Sequence, residues 1–153
     1  MSAKRIASLI LSIFVIAAVI MMINNIVLDN GSSTSNPNDL PENVDIVYYF
    51  YTNYRCETCE LIEKYTGESV KEYFKNQLAD GTLIWKTVNT DEKGNEHFLD
   101  DYDLYTKSVV LVRIRDGEEK SWKNLEGVWT YYDDETEFKT YVTNEVKAFI
   151  GNN

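Results

Sequence analysis

The order of apolar and polar residues divides the chain into three parts. Residues 6–23 form an uncharged run that only two serines interrupt, and residues 29–43 are rich in Ser, Asn, Pro and Gly without any apolar period. From Val44 onward, apolar residues recur with the periods of strands and helices. The pattern predicts an apolar segment within residues 1–28, a flexible linker over residues 29–43 and a folded domain over residues 44–153.

Within the third part, strand and helix patterns alternate. Val44–Thr52 is almost continuously apolar and aromatic, as is typical of a central strand with both faces buried. Spacings of three and four then predict a long helix from about Glu57 to Ala79, with Gly67 on its polar side and a capping sequence at Ser69 that would allow a kink. The remaining predicted elements are strands at Leu83–Asn89, Ser108–Arg115 and Glu119–Trp122, short helices ending near Tyr102 and Trp129, and a last helix that Asp133 or Asp134 caps. The order β-α-β-α-β-β-α predicts an α/β domain, in which a mixed sheet carries helices on both faces.

The amino-terminal run is long enough to cross a lipid bilayer. Lys4 and Arg5 precede it and Asp29 follows it, and this asymmetry predicts a cytoplasmic N-terminus with the rest of the chain outside. A cleaved signal peptide is the alternative, but the end of the run offers no small-x-small cleavage site. We therefore expect an uncleaved signal anchor: a single-pass protein of the cell membrane with an extracytoplasmic domain, where disulfides can form.

Charge excludes one class of partner. Lys4, Arg5 and Asp29 are the only charged residues before residue 30, so the totals of 15 basic and 25 acidic residues leave 13 basic and 24 acidic residues in the remainder. A domain this acidic repels nucleic acid, and its charge is best explained by solubility.

Both cysteines of the chain lie at one strand-to-helix junction. Cys56 and Cys59 are separated by Glu57 and Thr58, after the first strand and at the start of the long helix. A helix N-terminus favours the thiolate of the first cysteine, and the second is close enough to form a disulfide with it. This placement indicates a thiol–disulfide redox site that needs no cofactor, with Cys56 as the exposed nucleophile and Cys59 as the buried resolving thiol.

From Val44 to Ile150 the chain resembles the thioredoxin-like superfamily. That fold places C-x-x-C after a central strand, at the start of a long helix, and finishes with a hairpin and a helix. The segments Val88–Glu92, Tyr102–Leu104 and Val109–Gly117 match the family's Val-Asp strand end, its Tyr-Gly-Val and its apolar strand before a Gly turn. The resemblance implies a membrane electron donor and exported substrate proteins, bearing thiols or disulfides, as partners.

The chain departs from the family around the cysteines. Arg55 replaces the usual aromatic residue, the position of the family's buried acid falls near Phe50, and Lys107 occupies the place of a cis-proline. Arg55 is expected to favour the Cys56 thiolate, whereas the negative charge of Glu57 opposes it. Weaker stabilisation of the thiolate favours a site that acts as a reductant. We expect Lys107 to supply a positive charge near the sulfurs.

Two other readings of the cysteines stay open. Two thiolates can hold a soft ion such as Cu(I), which would make the domain a non-enzymatic metal-binding or protein-interaction module. A zinc site would need further ligands, and the single histidine, His97, fits a surface position better than a ligand. A static disulfide is the third reading, although it would close too short a loop to stabilise the fold much.

Overall fold

A computed structural model describes residues 40–151, all within one compact unit that begins at Leu40. The transmembrane helix expected within residues 1–28, and most of the expected linker, lie outside the described residues. No helix in the described part combines the length and apolar character that a membrane span requires.

A four-stranded sheet forms the centre of the domain, in the order β2-β1-β3-β4. The strands are β1 (Val44–Tyr51), β2 (Leu83–Asn89), β3 (Ser108–Arg115) and β4 (Glu118–Asn124). β1 runs parallel to β2 and antiparallel to β3, and β3 and β4 form a hairpin. Asp116 and Gly117, with φ of 56° and 73°, make its two-residue turn, a conformation that matches the twist of the strands. The sheet is therefore mixed, as the element order predicts.

Helices cover both faces of the sheet, which confirms this part of the predicted architecture. The helices are α1 (Glu57–Tyr73), α2 (Lys75–Ala79), α3 (His97–Asp101) and α4 (Glu135–Gly151), with a 3₁₀ turn at Glu126–Trp129. Side chains of β1 alternate between two cores: Val47 and Tyr49 pack with α1 and α4, whereas Tyr48 and Phe50 pack against the segment around α3. This alternation follows from the two-residue period of a strand.

The long helix differs from its prediction in two respects. It ends at Tyr73, and Phe74 leaves helical geometry (φ −123°, ψ 33°) before the short α2 begins. The residue at the break, Phe74, has a fully buried side chain that packs in the core. Gly67 lies on the buried face and not on the polar one: its Cα approaches the Trp85 indole so closely that a Cβ would be 3.4 Å from the ring.

Candidate functional site

The two cysteines form a disulfide where β1 meets α1. Four residues, 52–55, connect Tyr51 to Cys56, which is the N-cap of α1 in an extended conformation (φ −122°, ψ 159°). The backbone N–H of Cys59 donates to Cys56 Sγ at 3.2 Å. Cys59 is 1% exposed whereas Cys56 is half-buried. The arrangement offers one sulfur to solvent and shields the other.

The buried side chain of Tyr49 is hydrogen-bonded to the first turn of α1. The Tyr49 hydroxyl donates to the carbonyl oxygen of Cys59 at 2.7 Å, and its side chain is fully buried. Burial, opposed by Arg55 and reinforced by Glu63 and Glu60, raises the pKa of Tyr49 well above its usual range. Tyr49 therefore remains a neutral hydrogen-bond donor. The sequence pattern predicts Tyr49 only as part of a buried strand.

Arg55 lies beside the cysteines, as its position predicts, but its charge is shared with a carboxylate. Its guanidinium donates to Glu63 and stacks on the Tyr51 ring, with 4.6 Å from Cζ to the ring centroid. Glu57 is exposed in the first turn of α1, together with Glu60. Because these carboxylates oppose the helix dipole and Arg55, the surroundings of Cys56 favour its thiolate less than Arg55 alone would.

The side chain of Lys107 lies over an aromatic ring. Its ammonium is 5.3 Å from the centroid of the Tyr54 ring, two residues before Cys56. The Lys107 carbonyl accepts a hydrogen bond from Trp129 Nε1 at 3.0 Å. All peptide bonds of the described residues are trans, including the one that precedes Lys107. A direct effect of Lys107 on the sulfurs stays a prediction.

Polar side chains at the end of β2 hold the 52–55 connection. Asn89 Nδ2 donates to Asn53 Oδ1 at 2.8 Å, and the Asn53 N–H donates to Asp91 at 2.8 Å. Both the N–H and the hydroxyl of Thr90 donate to the Tyr51 carbonyl, at 2.8 and 3.1 Å. The sequence marks residues 88–92 as a strand end, but the partners lie 36 or more residues away in sequence and no local pattern shows them.

A groove of about 290 Å³ opens next to this connection. Its lining includes Tyr51, Thr52, Thr90, Leu99 and Lys107. The groove therefore lies against the start of the loop that leads to the cysteines. Phe50, near which the sequence resemblance puts the family's buried acid, is a buried aromatic residue of the second core.

The topology and the cysteines together decide the fold. A C-x-x-C disulfide follows a central strand and opens a long helix, and the chain finishes with an antiparallel hairpin and a helix. The domain has a thioredoxin-like fold.

Comparisons with known proteins find only low similarity. No family model and no curated protein matches the chain. Among solved structures, Fasciola hepatica thioredoxin matches with 20% identity and a TM-score of 0.38, over 66% of this chain and 80% of that one. Oxidised thioredoxin O2 from Arabidopsis thaliana matches with 17% identity and a TM-score of 0.37, over 63% and 76% of the two chains. The thioredoxin-like assignment accordingly rests on the strand order and the placement of Cys56 and Cys59 in this chain.

Metal ligands were the alternative use of the cysteines. Within residues 40–151, no group of three or more His, Cys, Asp or Glu side chains is arranged to hold a metal ion. His97 lies on the surface, where its Nδ1 pairs with Asp101 at 2.6 Å. Binding of Cu(I) by the two thiolates alone stays a prediction.

Proposed function

We propose that this thioredoxin-like domain exchanges the Cys56–Cys59 disulfide with protein thiols and acts as a membrane-tethered, extracytoplasmic oxidoreductase or electron carrier. The observation that carries the proposal is the asymmetry of the pair: half-buried Cys56 caps the helix with its sulfur, whereas Cys59 is 1% exposed. An incoming sulfur can reach Cys56 only, and Cys59 then lies next to the mixed disulfide.

The exchange requires no other group. In the reducing direction, the Cys56 thiolate attacks one sulfur of a substrate disulfide, forms a mixed disulfide and displaces the first substrate thiolate. The Cys59 thiolate then attacks Cys56 Sγ, closes the disulfide present in this structure and displaces the second substrate thiolate. Two electrons pass to the substrate, whose thiolates take up protons from water, and a dithiol donor must reduce the pair again.

Electrostatics favour the reducing direction. Arg55 is paired with Glu63, and Glu57 and Glu60 lie in the first turn of α1. A less stabilised thiolate makes the disulfide harder to reduce, so the reduced protein is the better donor. We expect a reduction potential nearer to about −270 mV, typical of a reducing thioredoxin, than to about −120 mV, typical of a strong oxidant.

Trapping tests the exchange directly. The full chain is equilibrated in dithiothreitol buffers and its redox state is read by thiol alkylation and mass spectrometry. Cys59→Ser should accumulate a mixed disulfide with a model disulfide substrate, because the resolving thiol is missing, whereas Cys56→Ser should not react. A pair that does not cycle between its two states, or equal trapping by both variants, would refute the proposed exchange.

The membrane part of the proposal rests on the apolar run of residues 6–23 and the charges around it. Its partners would be a membrane electron donor and exported proteins. A membrane-impermeant maleimide added to reduced intact cells should label Cys56, and alkaline carbonate should leave the protein in the membrane fraction. Labelling only after lysis would place the domain on the cytoplasmic side.

A further inference from the structure

A second groove, of about 330 Å³, lies between the segment that follows α3 and the end of β4. We call it the aromatic groove. Its lining includes the aromatic residues Tyr102, Tyr105, Trp122 and Trp129 and the carboxylates of Asp103 and Glu126. Neither Cys56 nor Cys59 is among the residues that line this groove, so the thiol chemistry does not explain it.

Two of the aromatic side chains, those of Tyr105 and Trp122, are presented to solvent. Tyr105 is 95% exposed and Trp122 is 37% exposed. Trp122 meets the buried Tyr102 edge to face, with 5.6 Å between centroids, and Trp129 is held by its hydrogen bond to the Lys107 carbonyl. The groove thus has ordered ring faces and edges that a ligand can contact.

The charged side chains that line the aromatic groove are carboxylates. Asp103 and Glu126 line it, and the Glu119 carboxylate, which accepts a hydrogen bond from Tyr102 at 2.8 Å, adds to the negative potential. No lysine or arginine is among the described residues that line the groove. The lysines nearest in sequence are engaged elsewhere: Lys107 lies over the Tyr54 ring, Lys123 pairs with Glu145 and Lys120 pairs with Glu118.

We propose that the aromatic groove binds a cationic side chain, preferably the guanidinium of an arginine in a basic segment of a partner protein. A planar guanidinium stacks on Trp and Tyr faces and bonds carboxylates at its edge, whereas an anion or an uncharged apolar group would leave the carboxylates unpaired. The strongly acidic domain attracts such a partner over longer distances. This binding needs no redox step, and Tyr105 and Thr106, which line both grooves, would place the bound partner next to the first groove.

Fluorine NMR can test this proposal because one of the three tryptophans serves as an internal control. The full chain in detergent micelles carries 5-fluorotryptophan, and the signals are assigned with single Trp→Phe variants. The probe is acetyl-Gly-Gly-Arg-Gly-Gly-amide, and its control replaces arginine with the neutral isostere citrulline. The arginine peptide should shift the signals of Trp122 and Trp129 saturably, but not that of Trp85, which packs against Gly67 and does not line the groove.

Matched variants then separate the groove from the general negative charge of the protein. Asp103→Asn combined with Glu126→Gln should raise the dissociation constant roughly threefold to tenfold. Asn suits position 103 because Asp103 has a positive φ of 50°, which Asn tolerates. The control pair Glu72→Gln and Asp133→Asn removes the same charge from exposed positions elsewhere and should have little effect. Equal shifts with citrulline, equal shifts of Trp85, or equal effects of the two variant pairs would each overturn the proposal.

Discussion

At the scale of single residues, the guanidinium of Arg55 lies between the Tyr51 ring and the Glu63 carboxylate. Both members of the ion pair are about 30% exposed, so solvent weakens the attraction without removing it. Glu63 therefore offsets part of the positive charge next to Cys56. The sequence shows Arg55 at once, because it precedes the motif, but not Glu63, which lies eight residues further along among other charged residues of α1.

Replacement of Glu63 by Gln should make Cys56 more acidic. The uncompensated charge of Arg55 would stabilise the thiolate and lower the Cys56 pKa, and the reduction potential should rise accordingly. The measurement is the pH dependence of Cys56 alkylation in the reduced protein. Glu72→Gln, an exposed change further along α1, is the control, and an unchanged or raised Cys56 pKa in Glu63→Gln would contradict the expectation.

The hydroxyl of Tyr49 is expected to stabilise the domain through its bond to the Cys59 carbonyl. Tyr49→Phe removes that bond inside the core and should lower the free energy of unfolding by about 0.5–1.5 kcal/mol. Tyr48→Phe is a matched control on the same strand, since in the described part of the chain the Tyr48 hydroxyl has no hydrogen-bond partner. Urea unfolding of both variants compares them, and equal losses would show that the bond contributes nothing specific.

At the scale of elements, strands and turns follow their predictions more closely than helices do. β2 and β3 have the predicted bounds, because an apolar run between polar turn residues has clear ends. The predicted helix continues to Ala79, but the observed helix is interrupted at Phe74, whose side chain is buried. The sequence pattern predicts Gly67 on the polar face of the helix, whereas it lies on the buried face. A residue without a side chain carries no hydrophobic signal that would show this. The partner of Gly67, Trp85, lies on another element.

Two glycines that contact aromatic rings should respond oppositely to a methyl group. A Cβ at Gly127 would lie 2.5 Å from the Tyr141 ring, whereas one at Gly67 would touch Trp85 at 3.4 Å. Gly127→Ala must displace the ring and should cost about 1–3 kcal/mol of stability. Gly67→Ala adds a better helix former in ordinary contact and should gain up to about 1 kcal/mol. Thermal unfolding distinguishes the two variants, and destabilisation by both would show that the Trp85 contact has no room for the methyl group.

At the scale of the whole domain, an ion cluster joins the strands at the end of β1 that lies away from the cysteines. Asp45 accepts from Arg113 at 2.9 Å and from Arg115 at 3.1 Å, and its side chain is only 8% exposed. Arg113 also donates to the carbonyl of Phe149 and lies 4.9 Å from that ring. The cluster therefore links β1, β3 and the last helix. The sequence indicates the strands but not this linkage, because the three elements are brought together only by the fold.

Loss of the Asp45 charge should weaken the whole domain and leave the thiol site unchanged. Asp45→Asn would leave two partly buried guanidinium groups without their carboxylate, which costs roughly 2–4 kcal/mol when solvent access to Arg115 is allowed for. Urea unfolding measures this loss, and Asp133→Asn, an exposed change, is the control. The Cys56–Cys59 reduction potential should stay the same below the unfolding transition, since the cluster lies at the other end of β1. A shifted potential in the folded variant would instead show that the two ends of the strand are coupled.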